Sequence, residues 1–323
     1  MRRLSTLARA KRMIHSLSGA EAVKIAFPIL SDNVLTKIVY DMNHRGFGVA
    51  TDCIDPGNLA SLRSFIENKV ADNGGEYIGF SGLEARGTFL DNLSSSPEFI
   101  RACKVIYEKG TGKAAPSVPF YQVLRCTSGK AGEKHALFFH YDSYVVTALV
   151  PVVIPSEGRC GHLIMLPNTR AIRKNYFRNL IDKVLLDNTL TQVLLRKFTA
   201  SGRLQATKVR MIPGNVYFFW GCRSIHANEL CDPDKIRATA IFHYVDSHAS
   251  SWLRRALRGK NMQYKYCPRS VFRNVTELED AIHEWIEHRN HDRQGRLPAA
   301  ASALDAAGFG QQSEDSLEAP VTP

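Results

Sequence analysis

The stretch FFHYDSYVVTALVPVVI, residues 138–154, decides how this chain folds, because its second half is a nearly unbroken apolar run rich in valine. Runs of this kind favour buried β-strands. Similar runs, separated by turn residues, occur on both sides of it: FYQVLRC at 120–126, GHLIML at 161–166, NVYFFW at 215–220 and RATAIFHYV at 237–245. Many short strands in succession predict a mainly β fold, either a barrel or a double-sheet jelly roll.

Helical patterns surround and interrupt this β region. GFGVATDCIDPGNLASL at 46–62 predicts a strand, a turn and an amphipathic helix, and residues 75–117 predict irregular structure apart from a helix at about 97–109. We predict a basic helical extension over 1–40, a β domain over 41–250 with a helical insertion at about 170–205, a helical segment over 251–291 and a disordered tail over 292–323.

The charge of the chain is unevenly spread. The formal net charge is +11, and three blocks are strongly basic: residues 1–20 hold five Lys/Arg and no acid, residues 170–210 hold ten against two acids, and residues 254–273 hold seven and no acid. Such blocks favour anionic partners, namely a phosphorylated or carboxylated small molecule, an acidic carrier, a membrane surface reached through the basic N-terminus, or nucleic acid. A solvated basic face explains them equally well.

Cysteine usage also indicates the cellular compartment of the protein. The seven cysteines are scattered and include no CxxC pair, which argues against a disulfide framework or a zinc cluster and favours a reducing compartment. We expect the cytoplasm, or the mitochondrion if the organism is eukaryotic, since the first twenty residues resemble a presequence in composition. No run of eighteen apolar residues occurs, so no membrane-spanning helix is expected.

A candidate metal site lies near the start of the quoted stretch. His140 and Asp142 are two residues apart, so on an extended backbone the imidazole and the carboxylate share one face. His226 lies far downstream, after another β-rich run. Two histidines and one carboxylate, which leave part of the coordination sphere of the metal open, are the ligand set of non-haem iron(II) oxygenases.

Arg237 follows His226 by eleven residues and begins a predicted strand, so that its side chain and the Thr239 hydroxyl project together. A guanidinium binds a carboxylate through paired, charge-assisted hydrogen bonds, and a hydroxyl can add another. This pair suits the distal carboxylate of 2-oxoglutarate. The alternative for Arg237 is a salt bridge to Asp232 or Asp234 in the preceding turn.

The order HxD, then H, then RxT resembles the iron(II)/2-oxoglutarate-dependent dioxygenase superfamily, and its surroundings most resemble the phytanoyl-CoA dioxygenase-like branch. RCGHLIMLPNT at 159–169 is similar to the family's Gly-x-Leu…Pro-x-Ser strand and turn, and PGNVYFFW at 213–220 to its Gly-Asp-x-x-x-Phe strand. Asn215 stands where the family often has aspartate, and the helical insertion is larger than usual. The resemblance spans about residues 46–245.

The resemblance implies a double-stranded β-helix core with flanking helices, in which His140, Asp142 and His226 hold Fe(II). It implies 2-oxoglutarate, anchored by Arg237 and Thr239, and O2 as co-substrates. The implied reaction couples decarboxylation of 2-oxoglutarate to succinate with hydroxylation of an unactivated carbon; desaturation, ring formation and epimerisation use the same ligands and stay open. The basic insertion favours a small or carrier-linked substrate that is anionic or amphiphilic.

Further residues are expected near the site on weaker grounds. Candidate cofactor contacts are Tyr121 and Gln122, and candidate substrate contacts are Arg125, Tyr144 and Arg223. Thr147 lies an odd number of positions beyond Asp142, so strict alternation predicts that it points away. His243 is outside the ligand pattern, and we expect hydrogen bonds to satisfy it.

Two other functions stay open at this point. The same iron centre could serve the oxidative demethylation of nucleic acid or protein, although the sequence has no basic groove interleaved with aromatic residues, as single-strand binding requires. The chain could also be a non-catalytic, basic β-barrel module whose histidines are structural and whose charge binds nucleic acid or a membrane.

Overall fold

The structure, a computed structural model, describes residues 26–254 apart from residue 83. Most of the predicted N-terminal extension, the helical segment beyond residue 254 and the predicted disordered tail lie outside these residues. The division of the chain at residues 41 and 251 stays a prediction. Among the described residues, no helix is both long and apolar enough to cross a membrane.

Nine strands among the described residues form two sheets in which every neighbouring pair is antiparallel. The strands are β1 Phe47–Ala50, β2 Ile78–Ser81, β3 Tyr121–Thr127, β4 Tyr144–Val153, β5 Leu163–Leu166, β6 Thr207–Val209, β7 Val216–Trp220, β8 Ile225–Asn228 and β9 Arg237–Asp246. The major sheet has the order β1-β7-β4-β9-β3-β2, and the minor sheet has the order β6-β5-β8.

Seven helices of the described residues flank the sheets, and all but the first lie in the segments that connect successive strands. They are α1 Asp32–His44, α2 Pro56–Asp72, α3 Phe89–Ser95, α4 Pro97–Thr111, α5 Gly129–Glu133, α6 Tyr176–Asp187 and α7 Thr189–Ala200. Local sequence explains their ends: α4, for example, begins after the N-cap Ser96 with a proline in its first turn. It ends at Gly112, whose φ of 67° is left-handed, a conformation that glycine adopts without strain.

The space between the two sheets is apolar over most of its length. Leu149 of β4 and Phe219 of β7 meet Met165 of β5 there, with other residues of both sheets. The opposite face of the major sheet packs against the helices, where Phe242 of β9 contacts Phe99 of α4 edge-to-face. The predicted fold class, a double-stranded β-helix with flanking helices, is therefore confirmed.

Two details of secondary structure differ from the sequence predictions. The insertion contains two helices, α6 and α7, because Asn188 ends the first and its side chain caps the second by accepting a hydrogen bond from the Leu190 N–H. The segment 75–117 holds β2 and α3 besides the expected helix. Thr88 caps α3 in a similar way, by accepting a hydrogen bond from the Leu90 N–H at 3.3 Å.

Candidate metal centre and co-substrate pocket

The backbone of the minor sheet brings the two predicted histidines together. His226 lies in β8, and His140 pairs with it as an isolated antiparallel bridge closed by two N–H···O hydrogen bonds of 3.0 Å. Their rings lie 4.3 Å apart between centroids. Asp142 follows two residues later, and its N–H donates to the Gly221 carbonyl at 2.9 Å. Pairing between distant segments thus assembles the three side chains.

The ligand atoms of these three side chains converge. The His140, Asp142 and His226 donor atoms all lie within 4.8 Å of one another. Asp142 Oδ1 is 3.5 Å from His226 Nε2 and 3.7 Å from His140 Nε2. Two imidazoles and a carboxylate with this convergence match the donor set of a divalent transition metal that retains open coordination positions.

Hydrogen bonds orient both imidazoles in the same way. His140 Nδ1 contacts the Phe138 carbonyl oxygen and His226 Nδ1 contacts the Ser224 carbonyl oxygen, each at 3.1 Å. A carbonyl can only accept, so each Nδ1 carries the proton and each Nε2 presents a lone pair to the centre. Burial, with the nearby His226, lowers the pKa of His140 to about 3, so this ring is neutral and able to bind a metal at ordinary pH.

Asp142 is held by a relay of two further side chains. Thr147 donates its hydroxyl proton to Asp142 Oδ2 at 2.6 Å, and the Thr147 oxygen lies 3.1 Å from His243 Nδ1. Since the threonine proton is already used, His243 must be the donor of the second bond. Burial opposes the charged carboxylate, but His226 and His243 outweigh it and hold the pKa of Asp142 well below its ordinary value.

The prediction that Thr147 points away from Asp142 was wrong. Strict alternation applies only within a continuous strand, and β4 begins at Tyr144, so Asp142 lies in the irregular segment before it. His243 is hydrogen-bonded, as expected. Its proximity to Asp142, with Nδ1 3.7 Å from Oδ2, was not predicted.

Gly221 is a part of the site that sequence reasoning missed. A Cβ atom at this position would lie 2.5 Å from Asp142 Oδ2 and 2.5 Å from Thr147 Oγ1. Both distances are far shorter than van der Waals contact, so only glycine permits this approach of the backbone to the carboxylate. A glycine directly after the β7 run was the available signal.

Arg237 and Thr239 lie side by side on the inner face of β9. Arg237 is 2% and Thr239 1% exposed. Arg237 Nη2 donates to Asn228 Oδ1 at 3.0 Å, but Arg237 Nε and Thr239 Oγ1 have no hydrogen-bond partner among the described residues. Burial, reinforced by the like charge of Arg125, lowers the pKa of Arg237 to about 10. A buried cation with unused donors is costly unless an anion satisfies it.

Asp232 and Asp234, the alternative partners predicted for Arg237, do not form a salt bridge with it. Asp232 forms salt bridges with Arg159 at 2.7 Å and with Lys235 at 3.5 Å. Within residues 26–254, no acidic side chain forms a salt bridge with Arg237. The alternative prediction, a salt bridge from Arg237 to Asp232 or Asp234, is therefore wrong.

Gly161, in the RCGHLIMLPNT segment, leaves room for the Arg237 side chain. A Cβ atom at Gly161 would lie 2.8 Å from Arg237 Cδ, and its φ of +67° is left-handed. The glycine is therefore required both by backbone conformation and by the width of the pocket.

Three of the weaker candidate contacts, Tyr121, Gln122 and Arg125, lie on β3, and they point to different faces of this strand. Arg125 pairs with Thr239 and Tyr121 with His243, so both belong to the inner face. Gln122 pairs with Phe242 instead, on the face that packs against the helices. Its assignment as a cofactor contact is therefore corrected, because neighbouring residues of a strand point to opposite faces.

Two tyrosine rings, Tyr144 and Tyr121 at the start of β3, stack next to His243 of the relay. The Tyr144 ring stacks on His243 at 4.8 Å and on Tyr121 at 5.6 Å. Arg223, by contrast, lies over the Trp220 ring at 5.8 Å and donates to Asn43 Oδ1 at 3.4 Å. These contacts direct the Arg223 side chain towards α1, and its role as a substrate contact stays a prediction.

The helical insertion holds the segment that carries His140 and Asp142. Gln192 of α7 accepts from the Phe139 N–H at 3.0 Å and donates to the Phe139 carbonyl at 2.7 Å. Lys183 of α6 donates to Ser143 Oγ at 2.9 Å. The buried Arg170 lies 3.7 Å from the Tyr141 ring centroid. The insertion therefore supports the metal centre, a role that its sequence did not reveal.

Replacing Gln192 with leucine should weaken metal binding without touching a ligand. The change removes both bonds to Phe139 and a third to the Leu186 carbonyl, so we expect unfolding to become easier by about 1–3 kcal/mol. We expect metal affinity to fall roughly 10–100-fold, as for other groups that support a metal ligand. Titration with metal and thermal unfolding measure the two effects.

The matched control is leucine at the exposed Gln205, which should change neither quantity. If Gln192→Leu lowers stability but keeps the affinity for metal, Gln192 supports the fold rather than the metal centre.

Comparison with known proteins finds similarity only among solved structures. The sequence matches no protein-family model and no curated protein. HygX from Streptomyces hygroscopicus, solved with nickel and 2-oxoglutarate bound, is 13% identical with a TM-score of 0.46, and the match covers 67% of this chain and 87% of HygX.

Two further structures are similar to a comparable degree. A prolyl hydroxylase from Trichoplax adhaerens, in complex with a hypoxia-inducible factor peptide, is 14% identical with a TM-score of 0.45 and coverages of 68% and 93%. The non-haem α-ketoglutarate-dependent epimerase SnoN from nogalamycin biosynthesis is 14% identical with a TM-score of 0.42 and coverages of 67% and 84%. At these identities the similarity concerns the fold alone, and the residue roles depend on the geometry described above.

Proposed function

We propose that this chain is an iron(II)- and 2-oxoglutarate-dependent oxygenase. The observation that carries the proposal is the convergence of His140, Asp142 and His226 in a protein interior that also buries Arg237 with an unused donor. The metal ligands leave coordination positions open. The arginine requires an anion. 2-Oxoglutarate meets both conditions, because it carries a metal-binding 2-oxo acid group at one end and a second carboxylate at the other.

The residues of the chain divide the work of binding. His140, Asp142 and His226 would hold Fe(II), while Thr147 keeps the Asp142 carboxylate turned so that Oδ1 faces the metal. Arg237 and Thr239 would hold the distal carboxylate of 2-oxoglutarate through charge-assisted hydrogen bonds. When bound, iron and 2-oxoglutarate supply, with O2, the oxidising power to functionalise an unactivated C–H bond, leaving succinate and carbon dioxide.

We propose hydroxylation of a small or carrier-linked substrate that is anionic or amphiphilic. Arg125 supports an anionic group, since it shares the inner face with Thr239, and the stacked Tyr121 and Tyr144 offer an aromatic wall beside it. The motifs at 159–169 and 213–220 favour the phytanoyl-CoA dioxygenase-like branch. We further propose a cytoplasmic location, because the cysteines are scattered and the six that lie among the described residues are all free.

The test is an anaerobic titration of the full chain with Fe(II) and 2-oxoglutarate. We expect a visible charge-transfer band that requires both additions, and succinate formation once O2 is admitted. Arg237→Ala should retain Fe(II) but need roughly 10–100 times more 2-oxoglutarate for the same band, because it loses charge-assisted hydrogen bonds to a buried carboxylate.

The matched control is Arg159→Ala, which removes a partly exposed arginine paired with Asp232 and Glu133 and should leave the titration unchanged. A wild-type chain that binds Fe(II) but gives no band with 2-oxoglutarate would refute the proposal. Equal 2-oxoglutarate affinity in Arg237→Ala would refute the assigned anchor.

A further inference from the structure

Six large apolar side chains stand exposed on the two helices of the insertion. They are 40–66% exposed, and we call them the apolar surface: Phe177, Ile181, Leu185, Leu190, Val193 and Leu194. On α6 they recur every four residues and on α7 at spacings of three and four, so each helix carries an apolar stripe facing solvent. Elsewhere in residues 26–254, no two of the large exposed apolar residues lie within four positions of each other in sequence: Ile29, Val34, Tyr40, Val118, Ile212 and Trp252.

The inward side of α6 is unusually polar. Asn179, Lys183 and Asp187 are buried there, along with Leu180 and Leu186. A helix that packs only against its own domain turns its polar side to water and buries its apolar stripe. α6 instead places Phe177, Ile181 and Leu185 outside, which indicates that something apolar covers this side.

The exposed charges within residues 174–200, which carry the apolar surface, are all positive. Lys174, Arg178, Arg196 and Lys197 are exposed, whereas Asp182 is bound by Arg170 and Arg173 and Asp187 is buried. An apolar stripe flanked by cations is the pattern of a helix that lies in the interface of an anionic membrane.

The end of the described chain adds to this pattern. His248 packs against Tyr176, the first residue of α6, with ring centroids 5.6 Å apart. Trp252, four residues further along the chain, is 63% exposed. The sequence over 254–273 adds seven Lys/Arg and no acid, of which the described one, Arg254, is paired with Asp246. The described chain thus contacts α6 through His248 shortly before the exposed Trp252, and in sequence a basic tract follows; an exposed aromatic residue and a basic tract both favour an anionic interface.

We propose that the apolar surface docks onto an anionic lipid bilayer, with its leucines in the lipid boundary and its cations among the headgroups. Two other occupants fit less well. A symmetric second copy would bring the same cations face to face, and nucleic acid would match the charge but leave the apolar side chains in water. Since Lys183 and Gln192 hold the segment of His140 and Asp142, docking would place the metal centre next to the membrane.

The experiment is co-sedimentation of the full chain with phosphatidylcholine vesicles that contain about one-quarter phosphatidylglycerol, and with phosphatidylcholine alone. We expect binding to the anionic vesicles. The double variant Leu185→Glu/Leu190→Glu should lower the partition coefficient at least about tenfold, since it removes two apolar side chains that docking would bury in the bilayer and adds negative charges that the anionic lipid repels. Arg178→Glu/Lys197→Glu should lower it as well.

The matched control is Val118→Glu/Ile212→Glu, which alters two similarly exposed residues, 43% and 48%, and should bind like the wild type. Absence of binding to anionic vesicles overturns the proposal, and so does unchanged binding of both surface variants, which would assign attachment to the basic tract alone. A dimer in light scattering that Leu185→Glu/Leu190→Glu dissociates would assign the surface to a second copy. The assay contains no metal or 2-oxoglutarate, so its result is independent of the proposed catalytic function.

Discussion

Asp142→Ala is expected to abolish metal-dependent turnover of 2-oxoglutarate while the chain still folds. Asp142 supplies the only carboxylate among the three converging side chains. An imidazole binds a metal through an uncharged nitrogen, so the two remaining histidines would offer no charge to offset a divalent cation. Since loss of a supporting group alone costs roughly 10–100-fold in affinity, loss of the ligand itself should cost more. Metal titration and succinate formation are the measurements.

The fold of this variant should survive for a physical reason. Asp142 is a buried carboxylate that accepts a side-chain hydrogen bond from Thr147, and loss of such a bond should change the free energy of unfolding by only about 1–3 kcal/mol. The stabilisation that added metal confers on the wild type should vanish. Asp41→Ala, which removes a salt-bridged aspartate of α1, is the control. Full turnover by Asp142→Ala would show that the ligand assignment is wrong.

Gly221→Ala is expected to damage the metal centre nearly as much, although it adds one methyl group and removes nothing. The new Cβ would lie 2.5 Å from Asp142 Oδ2 and from Thr147 Oγ1, so the carboxylate must move by a sizeable fraction of an ångström. A displacement of about 1 Å at a reacting centre can cost on the order of 100-fold in rate. We expect a loss of that order in turnover, with weaker metal binding.

The control for Gly221→Ala is another glycine with room for a side chain. A Cβ at Gly82 would meet its nearest neighbour, Gln122 Cβ, at 3.5 Å, an ordinary contact, so Gly82→Ala should behave as the wild type. If Gly221→Ala bound metal normally, the backbone around residue 221 would have moved to accommodate the methyl group. The close approach of Gly221 to Asp142 would then not be needed for metal binding.

The ligand pattern could be predicted from sequence because its chemistry depends on residue type and short spacing. His140 and Asp142 are separated by one residue, and together with a second histidine they supply the two imidazoles and one carboxylate of a known metal-binding set. Arg237 and Thr239 share a face for the same local reason. Gln122 failed because sequence alone did not show which face of β3 was inward.

The groups that support the ligands could not be predicted, because they come from distant parts of the chain. Gln192 meets Phe139 across 53 positions and Thr147 meets His243 across 96. Neither contact has a local sequence signature. Gly221 directly follows the β7 run, but its position in the sequence does not show that it lies against Asp142, because only folding brings the two segments together.

The sequence by itself predicted the strand-rich core, the three candidate metal ligands and the pairing of Arg237 with Thr239 on one face, since each follows from hydrophobic periodicity or residue chemistry over a few positions. Only the tertiary structure decided which side chains hold Asp142, that Arg237 is left without an acidic partner among the described residues, and that the insertion turns its apolar surface outward. Those outcomes depend on which surfaces meet when distant strands pair, and pairing across the chain is a property of the folded whole.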